Sequence, residues 1–65
     1  MIITFKAGQQ FNQFYGNGEF SGLITVTRVS DKSVFVRLNN SPESREGMNT
    51  AKNYIVKGLW KELPA

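Results

Sequence analysis

In the stretch SGLITVTRVSDKSVFVRLNN, from Ser21 to Asn40, the apolar register of a β-strand slips once. Ile24 and Val26 stand two apart, as one face of a strand requires, but the next strong apolar residue, Val29, stands three beyond Val26. On a regular strand Val29 would fall on the opposite face, because successive side chains alternate. In a segment this rich in β-branched residues, the spacing predicts an extra residue, a bulge near Thr27–Arg28. A bulge bends and twists its strand, and bent strands close small barrels. The following strand alternates without fault, Val34, Val36 and Leu38 against Phe35, Arg37 and Asn39. The aliphatic set is expected to face a core, which leaves Phe35 and Arg37 outward.

A chain of 65 residues forms one domain at most, here taken as residues 1–65. So short a chain buries a modest fraction of its surface, and burial nearly cancels against conformational entropy. The sequence holds neither cysteine nor histidine, which excludes a disulfide staple and a structural zinc site. What remains is a good core or a homo-oligomer. Five Phe, two Tyr and one Trp are a large apolar payload for this length and favour the core. Lack of cysteine fits a reducing compartment. The start, MIITFKAGQQF, carries a four-residue apolar patch and no longer apolar run. It does not read as a signal peptide, and no segment approaches the length of a membrane span. The expectation is a cytoplasmic protein without a membrane partner.

Elsewhere the punctuation is clear. Ile2–Lys6 reads as a short strand ended by Gly8, and Gln9–Tyr15 as an extended stretch anchored by Phe11. Gly16-Asn17-Gly18 is a turn, since both residue types tolerate positive φ. Phe20–Val29 runs back, and Gly22 within it permits a bend or a close crossing. Ser30-Asp31-Lys32-Ser33 lacks Gly, so a four-residue loop on a type I turn is expected, with Asp31 bonding the backbone ahead. Asn39–Gly47 is a polar loop with at most a single helical turn at Ser41-Pro42-Glu43, feeding a short strand around Arg45–Met48. Asn49–Lys57 is the convincing helix, capped by Asn49 or Thr50, with Ala51, Tyr54 and Ile55 on one face. Gly58 suits its left-handed end and Lys57 its dipole. Leu59–Leu63 is a final strand closed by Pro64. One helix from Pro42 to Leu63 would carry Gly47 and Gly58 inside it at about 1 kcal/mol each, and is rejected.

Four to five short strands, a bent second strand and one short helix before the last strand resemble a small SH3-like barrel, from roughly Gly8 to Leu63. An OB-like barrel is the lesser alternative, the chain being short for one. The tail AKNYIVKGLWKEL also resembles small uncharacterised proteins of phages and mobile elements. That resemblance implies an origin in such elements and a binding role.

Catalytic parts are missing. Without His or Cys the familiar nucleophile–base dyads cannot form. The acids are Glu19, Asp31, Glu43, Glu46 and Glu62, of which Asp31 belongs to a turn and Glu43 and Glu46 to a solvated loop. Gly16-Asn17-Gly18 is no phosphate loop, for no helix and no Lys-Ser/Thr follow it. The expectation is a protein that is not an enzyme and takes no cofactor and no metal.

Net charge is +3, a mild excess spread along the chain. It permits nucleic acid without requiring it. The outer face of the hairpin is the leading candidate site: Phe35 and Arg37 with Thr25 and Thr27 beside them, Arg28 at the bulge and Arg45 beyond. A ring, guanidinium groups and hydroxyls on one sheet surface suit a base, a phosphate or a peptide. The plainer alternative covers Phe35 with the N-terminal strand or the helix. Tyr15, Asn17 and Phe20 flank the Gly-rich turn, as lining of a loop-end groove or as packing. Trp60 reads as core. Lys52, Lys57 and Lys61 form a basic strip or a solvated helix face. Nucleic-acid binding leads; a phage-type module inhibiting a host protein and small-ligand capture by an oligomer are the alternatives.

Overall fold

Three hairpins and one ladder between distant segments build the sheet, and two of the hairpins hold one irregularity each. The computed structural model describes residues 3–64. Its elements run β1 (Gln10–Phe14), β2 (Phe20–Val29), β3 (Ser33–Leu38), β4 (Ser44–Gly47), α1 (Met48–Val56) and β5 (Trp60–Glu62). The strands pair antiparallel in the order β4-β3-β2-β1-β5. The protein is mainly β, with one short helix before the last strand among the described residues.

The slip in β2 is a bulge. Val26 pairs with Val36 and Arg28 with Phe35, which leaves Thr27 as the extra residue. Its hydroxyl donates to the Phe35 carbonyl at 3.1 Å and so bonds across the disrupted ladder. Val29 returns to register opposite Val34, which is fully buried. The second irregularity, which the sequence did not announce, lies in the β1–β2 hairpin. Gln13 pairs with Gly22 and Phe14 with Phe20, so Ser21 stands out of the ladder.

Alternation then assigns the faces. Phe11, Ile24, Val26, Val34, Val36 and Trp60 point to one side, where Phe5 and Ala51 of α1 complete the buried core. A chain of rings crosses it, with centroid separations of 6.0 Å for Phe5–Phe11, 5.6 Å for Phe11–Trp60 and 5.1 Å for Tyr54–Trp60. The Trp60 indole N–H donates to the Gln13 side-chain oxygen at 2.9 Å, so the one polar atom of that ring is satisfied. Gly22 is where the backbone crosses closely. A Cβ there would lie 2.7 Å from the Asn39 side-chain nitrogen. Asn39 sits at φ 52, exchanges backbone and side-chain bonds with Leu23, and needs that space.

The helix ends at Gly58 as expected, although its last turn holds no basic residue. Gly58, at φ 77, donates to Ile55 O and Leu59 to Tyr54 O, a Schellman arrangement that satisfies the last carbonyls. Lys57 is its C-cap residue.

Four expectations are corrected. Residues 3–6 form no strand, and Ile2 lies outside the described residues. Lys6 instead gives its backbone N–H and carbonyl to Gln9 in a local turn, while Phe5 still enters the core. The helix begins at Met48, not at an Asn49 or Thr50 cap, and Gly47 offers no side-chain cap. A tertiary contact takes up one of the free N–H groups of the first turn, for the Met48 N–H donates to Lys32 O at 2.9 Å. In the β2–β3 connection it is Ser30, not Asp31, that bonds the backbone, its hydroxyl accepting from Ser33 N–H at 3.2 Å. Ser41–Glu43 makes no helical turn, in keeping with a polar loop of at most one. Finally, the sheet is open where a closed barrel was expected. No ladder joins β4 to β5 among the described residues; α1 connects them and packs against both and against β3.

Candidate nucleic-acid interface

The register places the solvent side of the sheet in rows. Arg28 on β2, Phe35 on β3 and Arg45 on β4 are successive cross-strand partners and form the first row. Two residues along, Gln10, Thr25 and Arg37 form the second. Lys61, Asn12 and Leu23 make the third. Phe14 and Phe20 end the face as an edge-to-face pair at 5.9 Å. Strands lie about 4.8 Å apart, so directly opposed side chains touch. All six residues expected from sequence, Thr25, Thr27, Arg28, Phe35, Arg37 and Arg45, therefore come together on one surface.

Phe35 is neither bare nor covered by the helix or the N-terminal segment. Its ring is half-buried beneath the Arg28 guanidinium, whose carbon stands 3.9 Å from the ring centroid. That cation–π contact steadies an arginine whose side chain stays 65% exposed. The Lys61 ammonium stands over the Phe14 ring in the same way at 5.2 Å. Cation-on-ring pairs thus mark both ends of the face.

One acid interrupts it. Glu43 shares the single Thr27 hydroxyl proton with the Phe35 carbonyl and accepts, at 3.4 Å, from the Arg28 guanidinium. The Thr27 bond chiefly holds the Glu43 carboxyl below its ordinary pKa; desolvation is the next influence and opposes it, and Arg28 and the charge of Arg37 add to the lowering. The other strand acids lie elsewhere. Glu46 and Glu62 pair with Val34 and Phe11 on the core side.

Sequence reasoning missed Gln10, Asn12, Phe14, Glu43 and Lys61 as members of this face. Lys61 was grouped with Lys52 and Lys57 by proximity in sequence. Alternation in β5 sends it opposite to Trp60, and the β1–β5 ladder carries it onto the platform. That pairing spans most of the chain and has no local signal. The group around the Gly-rich turn divides. Asn17 accepts from Glu19 N–H within the turn, Phe20 joins Phe14, and Tyr15 stays apart with 58% of its surface exposed.

Among the described residues no acid cluster could hold a metal ion, and no helix is long and apolar enough to cross a membrane. Comparison with protein-family models, with curated proteins and with solved structures finds no match.

Proposed function

We propose that this is a non-catalytic binding protein that takes nucleic acid on the solvent face of its sheet. The observation that carries the reading is the Arg28–Phe35–Arg45 row, a guanidinium over a ring with a second arginine on the neighbouring strand. A base stacks on the exposed plane of Arg28, supported by Phe35 from below. Arg37, Arg45 and Lys61 meet the phosphates, while Thr25 and Asn12 offer hydrogen bonds between them. The strand order, with the helix before the last strand, supports a partly open variant of an SH3-like barrel, and the lack of cysteine fits work in the reducing cytoplasm.

The test is anisotropy with labelled single-stranded and duplex oligonucleotides over a range of salt. Affinity is expected to fall steeply as salt rises. The Phe35→Ala/Arg37→Ala double variant, shown folded by circular dichroism, should lose binding. Binding that ignores salt, or survives in that variant, sinks the reading. A host protein captured from nuclease-treated lysate would favour the interaction module instead, for which the exposed Tyr15 and Phe20 rings are the supporting feature.

A further inference from the structure

The open side of the sheet leaves a cleft where a β4–β5 ladder would have closed a barrel. It measures about 450 Å³ and lies between β4, the inner face of β3, the C-terminal half of α1 and the start of β5. That size is within the ~300–1,000 Å³ range of small-molecule sites. Tyr15, Tyr54 and Trp60 contribute to its walls, with Leu38 and Leu59 between them. Glu46 is the one charged residue lining it, and neither Lys nor Arg does so. Among the described residues the Glu46 carboxylate has no ion pair, for the pair that forms is Arg28–Glu43 on the other face.

A basic protein has thus placed four of its cations, Arg28, Arg37, Arg45 and Lys61, on one side of the sheet and an unpaired carboxylate among rings on the other. Aromatic faces carry negative potential and attract cations, most strongly where water is excluded. Aliphatic walls favour an apolar body. A bare ammonium is strongly hydrated and gains little from Leu38 and Leu59, whereas an alkylated ammonium satisfies both the walls and the carboxylate. A metal ion does not fit a single carboxylate. The larger groove beside Phe11, about 590 Å³, lacks this pattern, since its Glu62 carboxylate already accepts from Gln9 at 2.8 Å and Lys6 stands in its wall.

We propose that the cleft is a binding site for a small alkylated ammonium of the choline class. Tyr15 and Tyr54 meet the cation, Glu46 balances its charge, and Trp60, only 3% exposed, contributes an edge. The site lies on the opposite side of the sheet from the Arg28–Phe35 stack and does not depend on it.

Trp60 is the sole tryptophan, so its fluorescence reports the cleft directly. The protein is titrated with choline and with its neutral isostere 3,3-dimethyl-1-butanol, and calorimetry measures the same affinities. A saturable response to choline is expected, with the alcohol about 10-fold weaker or more. Glu46→Gln and the exposed Tyr15→Ala should each weaken choline by about 3- to 10-fold, in the range of single cation–π and charge contacts. Phe35→Ala should leave it unchanged. No saturable response, equal binding of the alcohol, or undiminished affinity in Glu46→Gln would overturn the proposal. Both substitutions are mild, one isosteric and one at an exposed ring, so loss of fold does not obscure the result.

Discussion

The guanidinium of Arg28 lies on the ring of Phe35, 3.9 Å from its centroid, although the two residues belong to different strands and meet only because Thr27 is bulged out between them. Without the bulge Arg28 would point to the core side with Val26, since a one-residue shift turns every later side chain over. The irregularity read first in the sequence is what positions the stack.

The arginines should be separable by salt. Arg37→Ala and Arg45→Ala are expected to lower oligonucleotide affinity and to flatten the salt dependence by roughly one contact each, about 0.7 to 0.9 in the logarithmic slope. Arg28→Lys keeps the charge but loses the plane, so it should cost affinity with little change in slope. Anisotropy at four or more salt concentrations measures both quantities.

Glu43 competes with phosphate for Arg28. Its pKa is held below the ordinary value, first by the Thr27 hydroxyl and then by Arg28, so at neutral pH it is ionised and occupies the guanidinium. Glu43→Gln should therefore tighten binding at pH 7 by a few-fold, the scale of an exposed ion pair. Stability carries the opposite sign. A carboxyl with a depressed folded pKa contributes stability above its unfolded pKa, and that contribution fades as pH falls through the folded value. The wild-type protein should accordingly lose a small increment of stability below about pH 4.5 that Glu43→Gln never had. Carboxyl NMR titration and urea midpoints across that window check it.

Gly22→Ala should destabilise the fold by about 1–3 kcal/mol, the usual cost of overpacking. The new Cβ meets the Asn39 side chain at 2.7 Å and Leu38 at 3.0 Å. Asn39→Gly tolerates the positive φ at that position and removes the Asn39 part of the clash. The double variant should then be less destabilised than the two single costs added together. Urea denaturation of the four proteins gives the coupling.

Gln13→Ala strips the buried Trp60 N–H of its acceptor and should cost about 1–3 kcal/mol. Gln13→Glu keeps an acceptor at that place and should cost less. Equal losses in the two variants would mean that Gln13 acts through packing alone. Thermal melts and the Trp60 emission maximum distinguish the cases.

Much of this molecule was legible locally. Alternation in Val34–Leu38, the three-residue step from Val26 to Val29, the Gly16-Asn17-Gly18 turn and the Gly58 helix end are short-range signals, and each names a conformation that neighbouring residues enforce. They were enough to set the β2–β3 hairpin, its bulge and the five platform residues it carries, while Arg45 joins them through the β3–β4 ladder. The tertiary structure decided what depends on distant partners. The Lys32 carbonyl, distant in sequence, accepts from the Met48 N–H at a helix start where Gly47 has no side chain to cap with. The β1–β5 ladder brings Lys61 to the platform, and Glu43 folds back onto Thr27 and Arg28. Whether β4 meets β5 is likewise a matter of where α1 packs, and the helix leaves the sheet open. Strand character is written into neighbouring residues because sterics act over a few bonds; closure, capping across loops and the company a charge keeps are set by free energies shared among segments far apart in the chain.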